Sequence, residues 1–157
     1  MSTALRLRPA TEDDMMLYFR WVNDPVVRAS AFHTEHVSFE THRAWFAHAI
    51  ADEAVSMYVF MADDVPVGQV RLTWQGTTAL IAYSVAREHR GYGYGRKMLA
   101  LVERKVSVGT YLFGQVKQEN QASRDIFLSL GYDERFSTDG AWWEYRKRVK
   151  CNLQEVK

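Results

Sequence analysis

Residues 87–97 read Arg-Glu-His-Arg-Gly-Tyr-Gly-Tyr-Gly-Arg-Lys, and they lie between a run typical of a buried strand and a run typical of an amphipathic helix. Alternating glycines let the backbone turn tightly, so successive N–H groups can face one concavity. The helix that follows adds unpaired N-terminal N–H groups and the positive end of its dipole. Four basic side chains lie in this stretch, although the net charge of the chain is only +1. The stretch predicts a binding site for a phosphate group, against the alternative of an ordinary turn with solvated arginines.

Two familiar phosphate-binding motifs do not fit these residues. A P-loop requires Gly-Lys followed by Ser or Thr, whereas Gly95 is followed by Arg-Lys-Met. The dinucleotide fingerprint spaces its glycines as G-x-G-x-x-G and has an acidic residue about twenty positions further on. Here the glycines alternate, and the expected region around Leu112 has no acidic residue. Both nucleotide-binding folds are therefore set aside.

The composition is that of one globular domain, with 47% apolar and 25% charged residues among 157. The nearly balanced charge gives no basic field for nucleic acid, and no apolar run is long enough to span a bilayer. The N-terminus has no apolar signal-peptide region, so we expect a cytoplasmic protein without nucleic-acid or membrane partners. The lone Cys151 excludes an internal disulfide or a cysteine-based zinc cluster, and we expect no metal. We take 1–150 as one domain and 151–157 as a short C-terminal tail.

Hydrophobic periodicity outlines the remaining elements. An early strand ends near Pro9, a helix follows until Asn23-Asp24-Pro25 breaks it, and a second helix runs from Ser38 to about Ala51. The buried stripe of that second helix is expected to comprise Phe39, His42, Arg43, Phe46 and Ile50. A meander of three strands, a helix, a strand, a helix capped by Asn120 and a closing hairpin complete the order. This order predicts a mixed α/β (α+β) layer fold with a largely antiparallel sheet.

Two motifs resemble those of a known family. Residues 90–95 (Arg-x-x-Gly-x-Gly) resemble the Q/R-x-x-G-x-G/A signature of the GNAT superfamily of acetyl-CoA-dependent N-acetyltransferases. Residues 120–132 (Asn-x-x-Ser-x-x-x-Phe-x-x-Leu-Gly-Tyr) resemble the family's N-x-x-A-x-x-x-Y-x-x-x-G-F helix. The order of strands and helices is also similar, so the resemblance covers nearly the whole chain. It implies acetyl-CoA as cosubstrate and a central sheet of about six to seven strands flanked by about four helices.

The resemblance also implies how the cofactor is held. Main-chain N–H groups of the glycine turn would bind the CoA pyrophosphate, and the strand before it would splay from its neighbour and contact the pantetheine arm. One of those N–H groups could also polarise the thioester carbonyl. The cofactor-binding residues expected on this basis are Val85, Arg87, Arg90, Gly91, Tyr92, Gly93, Tyr94, Gly95, Arg96, Asn120 and Phe127.

Attack by an amine on the thioester needs a base, and the leaving thiolate can use a proton donor. The family often takes the donor from the Tyr of the second motif, where this chain has Phe127. Either Tyr132 or Tyr83 replaces it, or the thiolate leaves unaided. For the base we name His42, because desolvation on an apolar helix face would lower its pKa and leave the ring neutral and able to accept a proton near pH 7. A satisfied core histidine is the equal alternative, with Glu35 and His36 in reserve.

The N-terminal part resembles the GNAT branch that acetylates nucleotide-linked amino sugars, as in the pseudaminic acid pathway or with spore-coat glycans. Three stretches carry this looser resemblance: 20–28, 38–46 and 68–71. It implies a small-molecule amine acceptor, with the aromatic residues Trp21, Phe32 or Trp45 stacking on a base or sugar and Arg28 pairing with the diphosphate. Pairing of edge strands would be compatible with a homodimer.

Two other functions are kept open. The acceptor could be the N-terminal α-amine of a protein, as in the ribosomal-protein acetyltransferases of this superfamily. The chain could instead be a non-catalytic module that binds acetyl-CoA, an alternative prompted by Phe127.

Overall fold

Seven strands form one sheet in the computed structural model, which describes residues 3–150. The spatial order is β1-β2-β3-β4-β5-β7-β6, and every neighbouring pair is antiparallel except β4 and β5. Cys151 and the predicted tail at 151–157 lie outside the described residues. The strand bounds are Leu5–Pro9 (β1), Val55–Ala62 (β2), Val65–Gln75 (β3), Thr78–Val85 (β4), Tyr111–Lys117 (β5), Asp133–Ser137 (β6) and Trp142–Arg148 (β7).

Five α-helices accompany the sheet, and none of those in residues 3–150 is long and apolar enough to cross a membrane. Four of them have at least eight residues, so the predicted fold class, a largely antiparallel sheet with about four helices, is confirmed. The helix bounds are Met15–Val22 (α1), Pro25–Ser30 (α2), Phe39–Ala51 (α3), Tyr94–Lys105 (α4) and Gln121–Ser129 (α5).

The predicted helix break at Asn23-Asp24-Pro25 is confirmed, because α1 ends at Val22, but the short helix α2 that follows was not predicted. The Asp24 side chain accepts a hydrogen bond from Val26 N at 2.9 Å and caps the new helix. Pro25 occupies the first helical turn, where its missing N–H would have had no partner in any case. The same short segment therefore ends α1 and begins α2.

The two faces of the sheet carry separate cores. Helices α4 and α5 cover one face, where the larger core includes Leu72, Met98, Leu112 and Phe127. Helices α1 and α3 cover β1–β3 on the other face, where the smaller core includes Tyr18, Trp21, Phe46 and Val59. The stripe predicted for the second helix was partly wrong, since α3 buries His42, Phe46 and Ala49, whereas Arg43 is 60% exposed.

The sheet opens in its middle. The parallel pair β4 and β5 shares only three registered positions, from Thr78 opposite Tyr111 to Leu80 opposite Phe113. Beyond them β4 continues against β3 alone, and the end of β5 continues against β7 alone. The C-terminal half of β4 thus has one side without a strand partner, directly before the glycine turn.

Candidate active site

The glycine turn presents bare backbone to solvent. Gly91 and Gly93 have φ values of +89° and +76°, a region that L side chains rarely adopt. A Cβ added at either position would meet no described atom within 4 Å. Gly93 is the N-cap of α4, a helix of 12 residues. The free N–H groups of its first turn and the positive end of its dipole point toward the glycine turn. The turn thus has the space and the donors that a phosphate group requires.

Gly95 is a glycine for a different reason. It is buried in the first turn of α4, and a Cβ there would lie 2.9 Å from Ile126 Cδ1 and 3.6 Å from Tyr83 Cε2. Its missing side chain therefore allows α4 to lie close to α5 and to the free side of β4. Of the three alternating glycines, Gly91 and Gly93 keep the turn open, and Gly95 allows the close packing of α4.

The Arg90 side chain holds the turn in place. Its Nε donates to the Val85 carbonyl at 3.0 Å, and its guanidinium pairs with the Asp24 carboxylate at 3.1 Å. Burial opposes ionisation of Asp24, but the hydrogen bonds from Arg90 and Val26 N prevail and lower the pKa of that carboxyl. The turn is thereby tied to the N-terminus of α2.

The other polar side chains of the turn face solvent. Arg87 and Arg96 are exposed, and Arg96 donates to Ser129 Oγ at 3.1 Å. Tyr92 is 65% exposed, with its ring 5.8 Å from that of Tyr94. These residues surround the bare amides without filling the space above them.

A chain of hydrogen bonds lies beside the open half of β4. The Tyr83 hydroxyl is 2.7 Å from Ser123 Oγ, and Asn120 Oδ1 accepts from Ser123 N at 3.2 Å as the cap of α5. Burial raises the pKa of Tyr83 to about 12, so the phenol keeps its proton at neutral pH. The structure therefore brings together Tyr83, Asn120 and Val85 around the opening in the sheet.

Phe127 and Tyr132 lie deeper. Phe127 is 1% exposed, stacks on Tyr145 at 5.1 Å and packs over Gly114, where a Cβ would come within 2.5 Å of its ring. Tyr132 is 4% exposed behind the Phe127 ring, and its hydroxyl has no hydrogen-bond partner among residues 3–150. Burial raises the pKa of Tyr132. Of the two tyrosines considered as proton donors, Tyr83 is therefore the one at the opening.

His42 is packed between α1 and α3. It is 2% exposed, and its Nε2 lies 3.0 Å from the Met15 carbonyl, which can only accept a hydrogen bond. The rings of Phe19, Trp45 and Phe46 lie within 6 Å of the imidazole. Burial lowers the pKa of His42, as expected for a neutral ring that fills a core position. The geometry gives His42 the contacts of a satisfied core histidine.

The four residues expected to contact the acceptor differ in their exposure and in their hydrogen bonds. Trp21 is 6% exposed inside the smaller core. Arg28 donates to the Val22 carbonyl at 2.7 Å and the His33 carbonyl at 2.9 Å, so its guanidinium holds the loop at 31–37. Phe32 in that loop and Trp45 on α3 are 48% and 36% exposed. Phe32 and Trp45 thus face open space, whereas Trp21 and Arg28 support the local structure.

On sequence grounds, residues 68–71 were named only as part of a resemblance, and no role was given to three polar side chains on the sheet face that carries α1 and α3, those of Gln69, Arg71 and Ser84. Gln69 donates from Nε2 to Ser84 Oγ at 3.1 Å, and the Arg71 guanidinium lies 4.9 Å from the centre of the Trp45 ring. A signal was available, because Gln69 and Arg71 alternate with Val70 and Leu72 in a central strand, where both faces are usually apolar. Residues 3–150 contain no group of three or more His, Cys, Asp or Glu side chains placed to hold a metal ion.

A helix N-terminus with bare amides beside a splayed parallel strand pair defines a CoA-dependent acyltransferase. Residues 4–133 match the family model described as an acetyltransferase (GNAT) domain, and the chain belongs to that family of N-acetyltransferases. No curated protein matches the sequence.

Solved structures agree in fold at low identity. A domain from Methanocaldococcus jannaschii is 18% identical with a TM-score of 0.81, covering 94% of this chain and 99% of its own. A spermidine N-acetyltransferase from Vibrio cholerae, solved with CoA and spermine, is 18% identical with a TM-score of 0.76, covering 90% and 92%. RimL, a ribosomal L7/L12 α-N-protein acetyltransferase solved with CoA, is 16% identical with a TM-score of 0.76, covering 94% and 96%. The prediction of acetyl-CoA as cosubstrate agrees with the CoA in two of these structures.

Proposed function

We propose that this N-acetyltransferase moves acetyl from acetyl-CoA to a primary amine on a nucleotide-linked deoxyamino sugar, by direct attack in a ternary complex. The carrying observation is the aromatic rim on the sheet face opposite α4 and α5. Phe32 lies edge-on to Trp142 at 5.3 Å, and the half-exposed Trp45 lies on the neighbouring helix. Aromatic rings at the border of an open face are suited to stack on a sugar or a uracil base.

The residues of the turn fit the cosubstrate. The free amides from Gly91 to Arg96 are suited to the CoA pyrophosphate, and the open half of β4, ending at Val85 and followed by Arg87, to the pantetheine arm. Asn120 borders the same opening from α5. Acetyl-CoA supplies the activated acetyl thioester when bound. The chain's own part is to orient it and to offer main-chain N–H groups to its carbonyl oxygen.

For proton transfer, we assign the donor role to Tyr83. Its hydroxyl lies at the opening, is protonated at neutral pH and shares a hydrogen bond with Ser123. Tyr132 and Phe127 instead support the packing beneath this opening. The proposal does not use His42 as the base, because the Met15 carbonyl occupies its Nε2 and the ring is enclosed.

The test is CoA thiol release from acetyl-CoA with a UDP-linked 4-amino-4,6-dideoxyhexose as the only amine. We expect release that depends on the sugar, and about a tenfold lower kcat/KM for the sugar in Phe32→Ala, since an aromatic contact contributes up to about 1.5 kcal/mol. Phe136→Ala is the matched control, because Phe136 is also exposed and lies edge-on to a tryptophan, Trp143, at 5.1 Å. Its register places that pair on the opposite face. Equal effects of the two variants would refute the aromatic rim.

The fold likeness to RimL favours a second candidate, transfer to the N-terminal α-amine of a protein. Acetylation of peptides but of no amino sugar would select this function. Tight binding of acetyl-CoA without turnover of any amine would instead select the non-catalytic module.

A further inference from the structure

Arg71 is a partly buried cation in the middle of the sheet. It lies on β3 between β2 and β4, with its guanidinium above the Trp45 ring at 4.9 Å. No carboxylate of residues 3–150 forms an ion pair with it, and burial lowers its pKa. A guanidinium removed from water usually has an anionic partner, and within the described chain this one has none.

The surrounding face lacks spare negative charge. Strand register places two carboxylates, Asp133 and Glu144, on the Arg71 face of the described strands near the opening. Glu144 pairs with Arg135 at 2.9 Å, and Asp133 lies directly opposite Arg146. A polycationic acceptor would therefore meet Arg71 without a counter-charge on these strands.

A second unsatisfied group lies two residues away. Gln69 Oε1 is buried and accepts no hydrogen bond from the described residues, while the other end of the same amide is held by Ser84. Gln69 and Arg71 share one face of β3, so their Cα atoms are about 7 Å apart along the strand. Ser84 directly precedes Val85, which borders the proposed thioester position. Buried orphan acceptors of this kind call for a donor from a ligand or water.

We infer that Arg71 binds an anionic group of the acceptor and that Gln69 Oε1 accepts a hydrogen bond from its amine. The inference rests on the proposed function for the reaction, and it narrows the acceptor to an amine that also carries a phosphate or a carboxylate. A nucleotide-linked amino sugar and an amino acid share this chemistry. A polyamine or an aminoglycoside does not.

The first measurement compares charged and uncharged acceptors. The pairs are the UDP-linked amino sugar with the same free sugar, and L-phenylalanine with phenethylamine. In one of the two pairs, we expect the native enzyme to have a higher kcat/KM for the acceptor with the anionic group than for the acceptor without it. Arg71→Gln should reduce this ratio by about tenfold to a hundredfold. Arg71→Lys should keep part of it. Arg43→Gln, on an exposed arginine of α3, should change nothing.

The second measurement is direct binding to the CoA-saturated protein, with UDP and L-phenylalanine as probes. We expect one probe to bind and Arg71→Gln to weaken it at least tenfold, with an unchanged Kd for acetyl-CoA as evidence of correct folding. Gln69→Leu should lower kcat/KM for the favoured amine while leaving UDP binding intact. Binding of neither probe, equal binding by Arg71→Gln, or a preference for spermine overturns the inference.

Different results would refute the proposed function and the role of Arg71. Turnover of the UDP-sugar with a preference that Arg71→Gln does not alter would support the proposed function and overturn the role of Arg71. An Arg71-dependent preference for L-phenylalanine alone would support Arg71 and remove the nucleotide-linked acceptor.

Discussion

Two polar loops flank the opening in the sheet. One leaves backbone groups unpaired, whereas in the other several backbone groups are bound by side chains. The turn at 91–95 has open glycines and amides without side chains above them. The loop at 31–37 is held by side chains from outside it: Asn23 exchanges two hydrogen bonds with Val37, and Arg28 donates to two of its carbonyls.

The difference separates a loop built to bind from a loop built to hold a shape. Backbone groups that are already paired are not available to a ligand, so in the second loop the exposed Phe32 side chain is the group best suited to contact one. Unpaired amides at a helix N-terminus attract an anion through the backbone itself. Substitutions in the two loops should therefore affect the two substrates separately.

The largest effect is expected from Gly93→Asp, which places a carboxylate where the CoA phosphates should lie. We expect the Kd for acetyl-CoA to rise at least about 100-fold, or roughly 3 kcal/mol, by isothermal titration. Gly76→Asp is the matched control, because Gly76 also has a positive φ, +61°, and open space around its Cα. Both variants bear similar backbone strain, so an equal loss in both would contradict a phosphate site.

Arg28→Met tests the other loop. The carbonyls of Val22, His33 and Glu35 lose a charged donor, which we expect to cost the loop about 1–2 kcal/mol. The kcat/KM for the acceptor should fall about tenfold because Phe32 loses its fixed position, while the Kd for acetyl-CoA stays within about twofold. Arg43→Met provides the control on α3. A change in acetyl-CoA affinity as large as the change for the acceptor would remove the distinction between the loops.

The smallest effect concerns His42, which packs behind the second loop. Because burial lowers its folded-state pKa, the unfolded chain binds a proton more readily when the pH falls below about 6.5. The free energy of unfolding should therefore fall with decreasing pH between pH 7 and 5, and by more in the native protein than in His42→Gln. Urea denaturation of both proteins at several pH values measures this difference. A variant that loses its activity and the acidic limb of the rate profile would instead make His42 the base.

Much of the cofactor half was predictable because its signals are local. Turn glycines, the Asn120 cap and the β4 segment act within a few residues of one another, so the sequence predicts the glycine turn and the elements beside it without knowledge of distant contacts. The opening in the sheet was expected only from the resemblance to the family. The acceptor half was predicted less well. By residue type alone, the side chains of Trp21, Arg28 and Trp45 are all suited to contact a ligand. Only the packing shows that Trp45 is exposed, that Trp21 is buried and that the Arg28 guanidinium already binds backbone carbonyls.

By itself the sequence determined the order of the strands and of the longer helices, the glycine turn and the family. Each depends on backbone geometry and on periodicity that neighbouring residues specify. Only the tertiary structure decided that His42 faces a carbonyl, that Arg90 pairs with Asp24 and that Arg71 has no partner among the described residues. These outcomes depend on contacts between residues far apart in the chain, where the partner of a polar side chain is set by how the layers pack.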